Sequence, residues 1–255
     1  MQRVIPGDLT SYITRVPGRF ATPEDAWRCT DEYVAAADVV AAPIEMIGTF
    51  VVPPPAGPAS RDFQTLHFDF GVPLVPFTAA DVARLTALHV PASASSAQAL
   101  TRFVPLRPLL SGHTWPGLEE LVRRFVAYGA SHGAWQPGTG YAEGSLARVI
   151  EAALGQPPAL PSVSANPDFL CGTEFSTIDD ETLFFAQRGL SINAVAVEVR
   201  LQPGELLLFD NLAVAHGRRG SRAPGELHQR VFGHRALDPG EQIKLRDRML
   251  AAFTG

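Results

Sequence analysis

The sequence predicts a mainly β chain with flanking helices, of sandwich or jelly-roll type. Three observations carry that expectation: short apolar runs with period-two alternation, Pro- and Gly-rich turns between them, and helical periodicity gathered before and between the strands. The chain has 255 residues, 46% hydrophobic and 18% charged, enough to bury a full core. All-β sandwiches often reach this length as single domains, and no linker-like stretch divides the chain, so one domain over 1–255 is expected.

The first helix is expected from Thr22, which can cap, through Pro23 at the first helical position to Ala42, before Pro43. Glu24 and Asp25 favour its positive end. Ile44 to Val52 and Phe63 to Phe70 read as strands, as do Leu85 to Val90 and Leu227 to Arg235. A second helix follows Trp115-Pro116, with Leu118, Leu121, Val122 and Phe125 on one stripe. A third starts at Ser145, with Leu146, Val149, Ile150 and Ala153 aligned. Ala194 to Leu201 alternates as a strand, and Gln202-Pro203-Gly204-Glu205 turns the chain into Leu206-Leu207-Leu208-Phe209. Pro53-Pro54-Pro55, Pro91 to Ala99 and Gln156 to Pro167 read as loops.

Net charge is −5, so no sequence-wide basic footprint for nucleic acid or an anionic membrane is present, and small molecules are the expected partners. No apolar run is long enough to span a membrane, and MQRVIPGDLT has no apolar run behind Arg3, so neither a membrane span nor export by an obvious signal is expected. Cys29 and Cys171 lie far apart without CxxC spacing, which argues against a disulfide scaffold or a cysteine zinc site. A reducing cytoplasm fits. The sequence indicates no homo-oligomer and leaves one open.

Chemistry concentrates in Leu66-His67-Phe68-Asp69-Phe70. In a strand, His67 and Asp69 share one face while Leu66, Phe68 and Phe70 take the other. The bland alternative is a surface-facing pair on an edge strand. A second stretch, Gly204-Glu205-Leu206-Leu207-Leu208-Phe209-Asp210-Asn211-Leu212-Ala213-Val214-Ala215-His216-Gly217-Arg218, offers a distant imidazole. Two imidazoles and one carboxylate around a single ion, with open positions left over, suit non-haem Fe(II) sites that activate O2.

This pattern, His67-x-Asp69 with His216 149 residues on from His67 and Arg230 a further 14 on, resembles the Fe(II)/2-oxoglutarate-dependent dioxygenases of the taurine dioxygenase and clavaminate synthase group. The resemblance covers residues 63–110 and 194–236 and is weak elsewhere; the distal segment is its most specific part. It implies a double-stranded β-helix. It also implies an enzyme that uses Fe(II), 2-oxoglutarate and O2 to oxidise, chiefly hydroxylate, an unactivated C–H bond, releasing succinate and CO2. His67, Asp69 and His216 match the family's iron ligands. Arg230 matches the arginine that pairs with the far carboxylate of 2-oxoglutarate, a role for which a planar guanidinium fork is well suited. Thr101 resembles the threonine that hydrogen-bonds the same carboxylate, although 34 residues past His67 is a long spacing for it. Related halogenases lack the carboxylate ligand, so Asp69 favours oxygen transfer, desaturation or ring formation over chlorination.

For the prime substrate, family members acting on free amino acids often carry an arginine four residues past the 2-oxoglutarate arginine. Here that position is His234, with Arg235 next to it. His234 offers no bidentate fork, so a small amino-acid-derived or natural-product intermediate without a free α-carboxylate at this spot is expected. A one-residue bulge that swings Arg235 inward is the alternative. His228 alternates with Arg230 on one face and could line the site. Arg188, Glu174, Asp179 and Asp180 fall where the family often has substrate-covering loops, and are otherwise exposed. Arg218, Arg219 and Arg222 read as a solvated basic run. His89, His113 and His132 read as satisfied or solvent-facing imidazoles. Rival readings are a non-catalytic jelly-roll metal-binding protein and a zinc hydrolase of cupin-like fold.

Overall fold

The computed structural model describes residues 13–16, 18–36, 45–51, 63–70, 82–94, 99–111, 142–147, 150, 175, 177–211, 213–220 and 226–234. The strands are β1 (Ile13–Val16), β2 (Glu45–Val51), β3 (Phe63–Phe70), β4 (Val82–His89), β5 (Leu100–Pro105), β6 (Ala142–Ser145), β7 (Val197–Val199), β8 (Leu206–Asp210), β9 (Val214–Arg219) and β10 (His228–His234). The helices are α1 (Pro23–Ala36), α2 (Leu106–Leu110), α3 (Ile178–Ala186) and α4 (Ile192–Val195).

Two five-stranded antiparallel sheets result. Sheet A runs β1-β8-β4-β10-β2 and sheet B runs β6-β3-β9-β5-β7. From β2 to β5 each successive strand changes sheet, and from β7 to β10 it does so again. The second set fills places left by the first: β9 enters between β3 and β5, and β8 and β10 flank β4.

The core lies between the sheets. Ile13, Leu88, Leu207 and Phe209 of sheet A pack with Phe103, Val199 and Val214 of sheet B, and the Phe103 and Phe209 rings meet edge-on at 5.1 Å. Alternation sends the intervening residues of sheet A outward. There Leu85, Ala87, Leu206 and Leu208 are covered by Ala26 and Trp27 of α1. α1 starts where the sequence places it: Thr22 Oγ1 accepts the Asp25 N–H at 3.2 Å, and its hydroxyl donates to the Asp25 carboxylate at 3.1 Å.

Several expectations shift. The described part of α1 ends at Ala36. β4 ends at His89, and beyond it the Val90 N–H donates to the Glu205 carbonyl at 3.2 Å while the Val90 carbonyl accepts from the Gly204 N–H at 2.7 Å, inside the 202–205 turn. The expected strand 194–201 opens with the helical turn α4, which the Ala196 N–H closes on the Ile192 carbonyl at 2.8 Å and which buries Ile192; only Val197–Val199 then pair, with β5. α2 and α3 lack the long apolar stripe that the sequence reading relied on. Leu146 and Ile150 are helical and buried as expected, Ala147 is buried beside them, and Ser145, just before them, is also the last residue of β6. The expected helix after Pro116 lies outside the described residues. The 202–205 turn is present, with Gly204 at φ +84° and the Glu205 N–H on the Gln202 carbonyl. No helix among the described residues is long and apolar enough to cross a membrane.

Candidate metal and cosubstrate site

β3 is an interior strand, between β6 and β9, so the edge-strand reading of its histidine fails. His67 opposes His216 directly across the β3–β9 ladder, and their ring centroids are 4.3 Å apart. Both are buried, at 2% and 6% exposure. Two buried imidazoles this close, their planes inclined at 48°, are placed where both could reach a single ion.

The tautomer of His67 follows from its neighbour. Its Nδ1 lies 2.8 Å from the Thr65 carbonyl, which can only accept, so Nδ1 carries the proton and Nε2 keeps the lone pair that a metal needs. His216 is packed by apolar rings: Phe103 opposes it on β5, and Phe209 of sheet A lies 4.7 Å away, centroid to centroid. Asp69 sits two positions beyond His67 in β3, opposite Glu143; its side chain lies outside the described residues. The residues described therefore fit a His-ligated metal ion at His67 and His216.

A bulge adjusts the approach. Gln64 opposes Arg218 and His67 opposes His216, so three steps along β3 match two along β9, and β3 carries one extra residue just before its histidine. Gly217 makes this tight crossing fit: a Cβ there would lie 2.7 Å from the Gln64 carbonyl oxygen.

Thr101, half-buried on β5, opposes Arg218, two places along β9 from His216, so Thr101, Arg218, Phe103 and His216 share one face of sheet B. Arg218 corrects the solvated-run reading: it is only 5% exposed, because alternation turns it to the His216 side, and Nη1 donates to the Gly220 carbonyl. Arg219, its neighbour, faces out and pairs with Glu198 at 3.5 Å.

Arg230 is not brought to the histidine pair. It opposes Ala87 of β4, whose side chain packs under α1, so the register turns Arg230 to the α1 side of sheet A. There Nη1 donates to Asp31 at 3.1 Å, and the guanidinium stands 5.9 Å from the Trp27 ring. His228 shares that face, opposite His89, with ring centroids 6.5 Å apart. His89 is a satisfied core imidazole on one side: Nδ1–H donates to the Glu205 carbonyl at 3.0 Å, and burial holds its pKa below the usual histidine range. His234 ends β10 opposite Val82; its side chain, and all of Arg235, lie outside the described residues. The register skips Ile47 on β2 and Arg84 on β4, so the extra residues beside β10 belong to its neighbours and β10 itself carries none through His234. Arg188 stacks on Phe184 at 3.5 Å and donates to the Phe184 carbonyl, at the end of α3. Asp179 and Asp180 are exposed in the first turn of α3, where Thr177 caps Asp180; His113, His132 and Glu174 lie outside the described residues.

One residue the sequence reading passed over is Glu181, fully buried on α3. Its signal was a Glu at the first position of an i, i+3, i+4 set completed by Phe184 and Phe185. A carboxylate in a buried stripe requires a partner, and Arg102 supplies it at 2.8 Å.

No family model and no curated protein matches the chain. Solved structures that resemble it include PvcB from Pseudomonas aeruginosa, 16% identical over 88% of this chain and 78% of that one, with a TM-score of 0.42. Another is a structure of PvcB described as an Fe, alpha-ketoglutarate dependent oxygenase from an isonitrile synthetic pathway, 19% identical over 89% and 80%, TM-score 0.43. A taurine dioxygenase from Burkholderia xenovorans is 13% identical over 95% and 85%, TM-score 0.36.

Proposed function

We propose that the chain is an Fe(II)- and 2-oxoglutarate-dependent oxygenase, one catalytic unit over residues 1–255 folded as a double-stranded β-helix. The observation that carries the proposal is the buried His67–His216 pair, in register across β3 and β9. The alternation of successive strands between the two sheets supports the fold assignment.

His67, His216 and Asp69 hold the metal in this reading. Bound Fe(II) supplies the coupling of O2 reduction to oxidative decarboxylation of 2-oxoglutarate, with succinate and CO2 released and a C–H bond of the prime substrate hydroxylated. The Thr65 carbonyl fixes the His67 ring, and Phe103 and Phe209 exclude water from the His216 side.

For the far carboxylate of 2-oxoglutarate we propose Arg218 with Thr101, in place of Arg230. Arg218 is the guanidinium on the His216 face, whereas Arg230 is directed at Asp31. The prime substrate is a small amino-acid-derived or natural-product intermediate.

The test is the visible absorption that develops when Fe(II) and 2-oxoglutarate are added without air. It is expected in the native protein and absent from His67→Ala and His216→Ala. A zinc hydrolase or a non-catalytic metal-binding protein gives none. Arg218→Ala is expected to weaken 2-oxoglutarate binding by roughly 10- to 150-fold, the equivalent of about 1.5–3 kcal/mol for a charged hydrogen-bonding partner. The same loss in Arg230→Ala with none in Arg218→Ala would return the role to Arg230.

A further inference from the structure

The extra residue in β3 removes backbone groups from the ladder just where His67 must be aimed. The Leu66 N–H, displaced by the bulge, donates to Glu181 Oε1 at 2.8 Å. The other oxygen, Oε2, accepts from Arg102 Nη1 at 2.8 Å, and the two side chains are 0% and 2% exposed. Arg102 opposes Gly217 on β5, so this ion pair lies on the face of sheet B turned away from the histidines, beneath α3.

The Leu66 N–H and the Thr65 carbonyl belong to one peptide unit. That unit is planar and rigid, with the two groups pointing to opposite sides. Glu181 holds one end of it, and the Nδ1–H of His67 is bonded to the other at 2.8 Å. Rotation of this peptide would therefore carry the His67 ring with it. A carboxylate on the N–H also polarises the amide and strengthens its carbonyl as an acceptor.

We propose that Glu181 is a positioning residue for His67, acting through the Thr65–Leu66 peptide: it fixes the ring's orientation and keeps the proton on Nδ1, so that Nε2 is available to a metal. Arg102 holds the Glu181 carboxylate in place through Oε2. The metal-binding part of this inference rests on the function proposed above; the part concerning the His67 tautomer does not.

The test uses the full chain with 15N-labelled histidine, the His67 signals being assigned by their loss in His67→Asn. The native protein is expected to show His67 as the Nδ1–H tautomer, and to bind Co(II), used as a spectroscopic substitute for Fe(II). In Arg102→Met/Glu181→Leu, which leaves no buried charge unpaired, the tautomer is expected to become mixed and Co(II) affinity to fall about 10- to 100-fold, the usual effect of losing a group that orients a metal ligand. Arg102→Met/Glu181→Gln, whose amide oxygen can still accept the Leu66 N–H and which leaves no guanidinium unpaired, is expected to restore both to near-native values. Glu181→Asp keeps the charge but withdraws it by one methylene, and is expected to shift the tautomer in the same direction as the double variant; it decides the matter if the double variant does not fold. An unchanged His67 tautomer in a folded double variant, or in Glu181→Asp, overturns the proposal. Native-like Co(II) binding by His67→Ala would overturn the metal assignment instead, leaving the tautomer measurement to judge Glu181.

Discussion

Replacing Gly217 by Ala places one methyl group at the crossing of β3 and β9. Ordinary contact for such a carbon begins near 3.4 Å, and the new Cβ would lie 2.7 Å from the Gln64 carbonyl oxygen and 3.1 Å from that of Thr65. The strands must therefore separate by roughly 0.7 Å at this point. Both obstacles are backbone atoms, so no side chain can swing aside to relieve them. Overpacking of this kind costs about 1–3 kcal/mol, and removal of glycine's unfolded-state freedom returns about 0.5–1 kcal/mol. A net loss of about 1–2 kcal/mol is expected, equivalent to a melting temperature roughly 2–8 °C lower for a chain of this size. Calorimetry reads the loss, and Co(II) titration reads its local consequence, since the opened spacing lies beside the His67–His216 pair. A variant that melts at or above the native temperature would show that glycine's flexibility, and not its size, matters at 217, and would refute the close approach.

Glu181→Leu alone strands the Arg102 guanidinium, and is expected to cost about 3–5 kcal/mol in urea denaturation, towards the lower figure because Glu198 stands 3.8 Å from Arg102 Nε. The Arg102→Met/Glu181→Leu double variant is expected to lose much less, which separates the charge from the packing. His89 has a pKa held below 6.5, first by burial and further by His228 nearby, against the opposing pull of the Glu205 carbonyl and Glu24. As pH falls, the unfolded chain therefore takes up this proton before the folded one does. The contribution of His89 to stability is intact above about pH 6.5 and is lost below it. The stability difference between native protein and His89→Gln, followed by denaturation from pH 8 to pH 5, is expected to shrink on the acid side; a constant difference would contradict the burial argument.

Strands were legible where a single physical signal dominated. Phe63–Phe70 and Leu206–Phe209 combine apolar density with clear turns, and the structure returns them with bounds that match or differ by one residue. His67 was legible on its bounded strand, whereas His216 was reached through the motif around it, since the strand that carries it, β9, has no clear alternation of its own in the sequence. Which side of sheet A Arg230 faces was not. That depends on how β10 registers against β4, a pairing between segments more than a hundred residues apart, and a one-place change reverses every side chain. Glu181 was obscured for a related reason: a Glu in a helical first turn reads as a favourable partner for the helix dipole, and only the buried Arg102 opposite gives it another purpose. Arg218 looked like part of a charged surface run because sequence proximity to Arg219 hides the alternation that separates them.

His67 and His216 are ladder neighbours in space and distant in sequence, and that separation bears on how the protein is made. Long-range pairings of this kind are late to form, since the chain must close a large loop before the contact returns any free energy. During synthesis β3 leaves the ribosome well before β9 exists, and the side of it that β9 will occupy is meanwhile an open template for unwanted strand pairing. No local segment can assemble the two-histidine pair on its own. Acquisition of metal would then follow completion of the chain and serve as a signature of it, with prematurely ended or C-terminally clipped products remaining unable to load.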